Sequence, residues 1–348
     1  MFYISLLFFM FIFLKVDLYN TLKTNNKFGY YFFAFVLFII IAFKFQVGCD
    51  WDSYEYHSMS ASSVISQESF FFNEILYWNI ADLSFKLFNS SVLIHSICAL
   101  LFVVGLMKFS SEQKYPINSM LISFPILILV IGFGFIQHSA AIGISLFSIN
   151  YLYKNQLIKY SILILIAWLI HSSAIIMMIF PLVLINKKQR LIQVLLFCFL
   201  FYLIYESITS QIDHYIYGYL DKNRKSSGLL PRLSLGILAS ILFYSKFRSY
   251  SFSSINEKKV LKIFAISPLI LLISLFFLSS TTAVDRILFY TFPIQIYTYS
   301  NIGTGVTKPY YNSFILFVIN LFITVIWLLY SSHSYCWMNY DNLLLYFF

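Results

Sequence analysis

Charge is scarce in this sequence. Asp, Glu, Lys and Arg make up only 11% of its 348 residues, against 60% hydrophobic residues and a mean hydropathy of +0.80. No soluble core absorbs that apolar fraction, so the composition excludes a water-soluble domain and leaves a polytopic membrane protein. Eleven glycines and seven prolines are too few for a Gly/Pro-rich linker, and no internal repeat stands out. The four cysteines have no metal-ligand spacing. A Walker loop, a zinc motif and a nucleophile elbow are all missing, which removes ATP hydrolysis and metalloprotease chemistry. Neither a metal nor a cofactor is expected. The first residues lack a basic stretch and a small-residue cleavage site, so Met1 to Leu14 reads as a retained span.

What is present is apolar and aromatic. Forty Phe and 27 Tyr, with frequent Ile, Asn and Lys, look like an AT-rich coding bias, so aromatic stripes receive no cofactor role. The formal charge of +9 would suggest a nucleic-acid partner in a soluble domain. Here the bases sit mostly in short connections between apolar runs, which is a signature of membrane topology, and no nucleic acid is expected. Those runs lie at roughly 2–14, 28–43, 91–107, 117–136, 139–153, 160–186, 191–209, 231–245, 260–279, 287–302 and 311–330. Several fall short of the roughly 20 residues that cross a bilayer perpendicularly. The predicted fold is all-α: one integral membrane domain over 1–348, with about 11–12 transmembrane segments, some of them short or re-entrant.

Orientation turns on 160–186. As a single helix it would carry His171-Ser172-Ser173 at its middle. As a hairpin turning there, it keeps Lys154, Lys159, Lys187, Lys188 and Arg190 on one side. With the hairpin, residues 15, 23, 27, 108, 114, 154, 159, 187, 188, 190, 246, 248, 258, 259, 262 and 308 face inward, 16 of the 23 Lys and Arg. With a single span the later loops flip, and twelve remain inside: 15, 23, 27, 108, 114, 154, 159, 222, 224, 225, 232 and 286. The positive-inside rule selects the hairpin. The 44–90 connection, Gln137-His138, the His171 turn, the 210–232 loop, Asp285-Arg286 and the tail from Ser331 then lie outside. Cys49 and Cys336 share that side, where a disulfide is permitted, although no spacing argument pairs them.

Within the external connection, Glu74 to Asn89 reads as an amphipathic helix. Leu76, Ile80, Leu83 and Leu87 follow helical spacing, opposite Asn79, Asp82 and Lys86, so it is expected to lie in the interface plane.

Ionisable groups beside lipid cost several kcal/mol, so those present are candidates for function. Asp50 and Asp52, flanked by Trp51 and Tyr54, are placed to take a proton from a sugar hydroxyl, to bind a cation, or to cap the segment that follows. His171 is either a turn histidine bonding a backbone carbonyl, or a base or phosphate donor. Gln137-His138-Ser139 opens a helix, whose free N–H groups suit an anion as well as ordinary capping. Arg286 offers a fork for phosphate oxygens, or an ion pair with Asp285. Lys222, Arg224, Lys225 and Arg232 run against the positive-inside trend. They answer external acids or attract an anionic substrate.

Taken together, Gly48-Cys49-Asp50-Trp51-Asp52-Ser53-Tyr54, Glu74-Ile75-Leu76, Ile136-Gln137-His138-Ser139-Ala140-Ala141-Ile142, Ala167-Trp168-Leu169-Ile170-His171-Ser172-Ser173-Ala174 and Asp285-Arg286-Ile287-Leu288-Phe289-Tyr290 resemble the EpsG/Wzy-type polysaccharide polymerases. Their order runs from about 44 to 300. The chain departs from the family pattern at Gln137-His138, where Arg-Gln is usual, and at Lys44, where Arg is usual. The resemblance implies a multi-pass polymerase of the bacterial cytoplasmic (inner) membrane. It would join polyprenyl-diphosphate-linked oligosaccharide repeats into O-antigen, capsule or exopolysaccharide at the outer face, with a chain-length regulator as a possible partner. It also implies Asp50, Asp52, His171 and Arg286 as catalytic, and Gly48, Tyr54, Glu74, Gln137, His138, Arg224, Arg232 and Tyr290 as substrate-binding. The competing classes are a flippase for the same lipid-linked sugar and a membrane O-acyltransferase. Transporters place polar groups near the midplane and often show repeats, whereas these candidates gather near one face.

Overall fold

The computed structural model describes residues 1–24, 28–66, 74–184, 191, 194–195, 198–199, 201–202, 205, 225–277, 280–302 and 309–346. It is helical nearly throughout, the described strands being one pair of two residues each. The chain forms two compact units, one of residues 1–63, 77–143 and 299–348, the other of 64–76 and 144–298.

In the first unit, α1 (Phe2–Thr24) packs on α2 (Phe28–Ala42), and α2 packs on α5 (Val92–Ser111). Between them in sequence lie β1 (Lys44–Phe45), α3 (Trp51–Ile65) and α4 (Ile75–Phe88). At its centre, α6 (Pro116–Ser123) runs into a π-helical stretch, Phe124–Gly132, in which all nine residues are buried. Pro125 has no N–H to give to an α-helical ladder, and π-helix is otherwise rare. α5 crosses α7 (Ile136–Tyr153) at glycine: a Cβ on Gly105 would meet the Gly143 carbonyl at 1.9 Å.

The second unit contains the rest of α7, then α8 (Leu157–Ile170), a 3-10 stretch (Ser172–Met178) and α9 (Ile179–Val183). α10 (Leu229–Ser245), α11 (Ile255–Ser274), α12 (Thr281–Leu288) and α13 (Phe292–Ser300) follow. α14 (Pro309–Tyr330) returns to the first unit and packs on α6. The expected reversal at His171 is present. That residue is extended (φ −146°, ψ 121°), α8 and the 3-10 stretch lie against one another, and the Tyr160 hydroxyl donates to the Met177 carbonyl at 2.6 Å.

Fewer of the expected 11–12 segments reach full length. Among the described residues two helices are long and apolar enough to cross a bilayer, Val92–Ser111 and Ser313–Tyr330. Shorter apolar helices occur at Phe2–Phe13, Phe28–Ala42, Pro116–Gly132, Leu157–Ile170, Ser172–Pro181 and Leu229–Ser245. At about 1.5 Å per residue these span less than a 30 Å hydrocarbon layer. The 313–330 helix is only 28% buried, and Phe314, Val318, Phe322 and Leu329 stand exposed on it. An apolar face of that kind is stable against lipid and not against water.

The amphipathic helix forms at Ile75–Phe88, but with a different buried face. Tyr77, Ala81 and Ser84 face the protein, while Leu83, Leu87 and Phe88 are exposed. Small and hydroxyl-bearing side chains fill the close contact, so the larger leucines project outward.

β1 pairs antiparallel with β2 (Asp341–Asn342), Lys44 opposite Asn342 and Phe45 opposite Asp341. Beside them Cys49 and Cys336 form a disulfide, and Gly48 N–H donates to the Cys336 carbonyl at 3.0 Å. A separation of 287 residues is why spacing alone gave no pairing. Reduction followed by alkylation is expected to shift the mass of the intact chain, and to cost on the order of 2–4 kcal/mol of stability. Finding Cys49 and Cys336 both free in unreduced protein would remove the bond.

Candidate functional site

Each unit gathers one group of the sequence candidates.

In the first unit the 44–54 segment is held from several directions. Lys44, 1% exposed, donates from Nζ to the Phe133 carbonyl at the end of the π-helical stretch, where carbonyls carry the negative end of the dipole. Burial pulls its ammonium down to about 7, against the opposing pull of Asp50 and Cys98. Gly48 has φ 92°, and a Cβ there would meet the Phe133 carbonyl at 2.9 Å, so this position requires glycine on both counts. Trp337 fills the space beside Gly134 and donates from Nε1 to the Leu129 carbonyl at 3.0 Å. The Gly48 motif therefore lies against the interruption of the helix that precedes Gln137 and His138. His138 is buried and Gln137 half-buried in the first turn of α7.

The Asp50 carbonyl accepts the Tyr54 N–H at 3.1 Å, so Asp50 stands at the head of α3, with exposed Asp52 in its first turn. Both carboxylates favour the positive end of that helix, whatever else they do. Trp51, Tyr54, Ser58 and Ala61 form its buried stripe. Two residues here carried no signal in the sequence. Glu55 accepts from the Ser91 N–H at 3.2 Å and hydroxyl at 2.5 Å, capping α5 from α3. His95 lies 4.7 Å from the Trp51 ring and bonds the Ser91 carbonyl through Nδ1 at 2.9 Å. A lone histidine in an apolar run is ordinarily a core residue, and only the arrival of α3 gives it company.

The second unit assembles Glu74, His171, Ser173, Arg286 and Tyr290. Glu74 sits at φ 57°, a left-handed conformation uncommon for a residue with a Cβ and costing on the order of 1–3 kcal/mol. Held so, its Oε1 accepts the Ser172 N–H at 2.9 Å and approaches His171 Nδ1 at 4.0 Å. His171 Nδ1 accepts the Ser173 N–H at 3.2 Å and lies 2.8 Å from the Ser173 hydroxyl, itself 3.1 Å from the Tyr290 hydroxyl. A backbone N–H can only donate, so Nδ1 carries no proton and the neutral ring holds its hydrogen on Nε2. The imidazole accepts the Ser173 N–H through Nδ1 and so caps the 3-10 stretch that follows.

Burial lowers the His171 pKa to about 4; Glu74 opposes the shift and Arg286 adds to it. At neutral pH His171 is thus a neutral donor through Nε2 and not a poised base. Arg286 is near enough to act electrostatically on both His171 and Tyr290.

The ion pair in this region is not Asp285 with Arg286. Asp285 is gripped by Arg232, Nη2 to Oδ2 at 2.5 Å and Nε to Oδ1 at 3.0 Å, with the Ser226 hydroxyl at 2.7 Å. Adjacent residues on a helix point about 100° apart, so one carboxylate of α12 faces α10 while the next side chain turns toward His171. Arg232, placed among substrate contacts by the resemblance, is 12% exposed and committed to Asp285. Arg224 lies outside the described residues.

The chain matches the family model described as "EpsG family" over residues 27–342. No curated protein and no solved structure matches it.

Proposed function

Because the chain belongs to the EpsG family, a family of Wzy-type polysaccharide polymerases, we propose that it joins polyprenyl-diphosphate-linked oligosaccharide repeats at the outer face of a bacterial inner membrane. The observation that carries this reading is the convergence of Glu74, His171 and Arg286 from three distant stretches in one unit. In the reaction, the terminal sugar hydroxyl of the incoming repeat attacks the anomeric carbon of the growing chain. The bond from that carbon to the diphosphate breaks, the hydroxyl proton passes to a carboxylate, and polyprenyl diphosphate departs. Arg286 and the His171 Nε2–H answer the charge that develops on the leaving diphosphate. Glu74 is the carboxylate that this unit offers for the proton. The leaving diphosphate supplies the driving force, so no nucleotide is consumed.

Two features support an outer-face, multi-pass arrangement. The exposed apolar faces of α5 and α14 suit lipid, and a disulfide joining Cys49 to Cys336 belongs in an oxidising compartment. Purified protein given lipid-linked repeats is expected to make a ladder of chain lengths; movement of intact lipid across the bilayer without a ladder would identify a flippase instead. For orientation, a cysteine at Ser172 should react with an impermeant thiol reagent added outside, and one at Lys188 should not. The reverse pattern would invert every segment after residue 160.

A further inference from the structure

In the second unit α10 and α11 pack together, and a surface cavity of about 630 Å³ opens where α10 ends and α11 begins. Lys246, Arg248 and Lys262 line it with Tyr244 and Phe247, and no carboxylate lines it. Among the described residues none of these three cations forms a salt bridge. Glu257, the acid of the adjoining turn, is held by the Ser253 N–H and hydroxyl at 2.5 and 2.6 Å. The Phe247 ring lies under the ammonium groups of Lys258 and Lys262, at 5.1 and 4.9 Å, which keeps both cations near the cavity.

Two exposed apolar stripes lead away from this basic end. On α11, Ile266, Ile270 and Ile273 continue the face of Lys262 at helical spacing, and on α10 Leu238 and Ile241 lead up to Tyr244. The Tyr244 hydroxyl donates to the Lys262 carbonyl at 3.4 Å, so the stripes meet at the cavity. None of these residues belongs to the Glu74–His171–Arg286 group.

We propose that the cavity binds the phosphodiester headgroup of an anionic glycerophospholipid, with its two acyl chains along the two stripes. Cations without acids select a phosphate, and the stripes give hydrocarbon a place that a free phosphate ion would leave unused. A polyprenyl phosphate offers one chain for two stripes. The positive-inside count puts residues 246–262 at the inner leaflet, the side opposite the proposed polymerisation.

The test uses the full-length chain in detergent, exposed to equal amounts of phosphatidylglycerol, phosphatidylcholine and polyprenyl phosphate, with retained lipid read by native mass spectrometry. Phosphatidylglycerol is expected to be retained. The variant carrying Lys246→Gln, Arg248→Gln and Lys262→Gln should bind it more weakly by roughly a hundredfold, about fivefold for each cation. Lys246→Arg with Lys262→Arg should bind normally. Equal retention of phosphatidylcholine, undiminished binding by the triple variant, or displacement by polyprenyl phosphate would each overturn the proposal. Should the triple variant not fold, the wild-type chain decides alone. Loss of the lipid at about 0.5 M salt supports the site, and salt-insensitive retention overturns it. Displacement by millimolar inorganic phosphate would also overturn it, by showing that the stripes contribute nothing.

Discussion

Arg286→Lys is expected to shorten or abolish the polymer ladder, lowering turnover on the order of a hundredfold at unchanged protein abundance. The substitution keeps the charge and removes the planar fork that matches two phosphate oxygens. The structure sharpens this expectation by giving Asp285 to Arg232, so the two neighbouring charges of α12 have separate fates. Breaking the largely buried Asp285–Arg232 pair leaves one uncompensated charge, at a cost of about 3–5 kcal/mol. Asp285→Ala and Arg232→Ala should therefore lower abundance, while Arg286→Ala lowers activity. Ladder length in a null strain, normalised to immunoblotted membrane protein, separates these outcomes. Full-length polymer from Arg286→Lys would take Arg286 out of the diphosphate site.

Glu74→Gln should be nearly as damaging, for a different reason. The amide preserves the shape and can still accept the Ser172 N–H, but it removes the negative charge beside His171 and near Arg286. Activity is expected to fall by roughly a hundredfold if that carboxylate takes the acceptor proton, the upper part of the range for a general base being larger still. Glu74→Gly provides the contrast. Glycine accepts φ 57° without strain, so this variant should fold better than Glu74→Ala by about 1 kcal/mol, yet be equally inactive. Activity retained in Glu74→Gln would leave Glu74 as a cap and take it out of the proton transfer.

How far the sequence could be read depended on the kind of signal. Long apolar runs specify helices wherever they occur, so α5 and α14 were legible, as was the break at His171, where charges on both flanks require a reversal. Helix α3 was not. Its buried stripe is Trp51, Tyr54, Ser58 and Ala61, in which two of four members are small, and polar residues such as His57 and Ser60 surround it. Its stability comes from packing, which a hydropathy pattern does not carry. The same limit applies to the second unit. Glu74, His171 and Arg286 were each visible as ionisable groups in apolar surroundings. Their meeting depends on contacts about a hundred residues apart along the chain, and the competition for Asp285 could be settled only by geometry. The β1–β2 pair has two residues a side, too short for any alternating pattern to register.

The link between the start and the end of the first unit also bears on how the protein is made. Residues 44–49 find their strand partner and their disulfide partner only among residues 336–342. Nearly all of the chain has therefore been made before the Asp50 segment acquires these two anchors, and for that whole interval Cys49 is a thiol awaiting its mate. A chain stalled or cleaved near residue 330 would keep the contacts of Lys44 and Gly48 with Phe133 and of Glu55 with Ser91, and would lack the strand pair and the disulfide. Quality control that senses a free Cys49 would be reading, in effect, whether translation had finished.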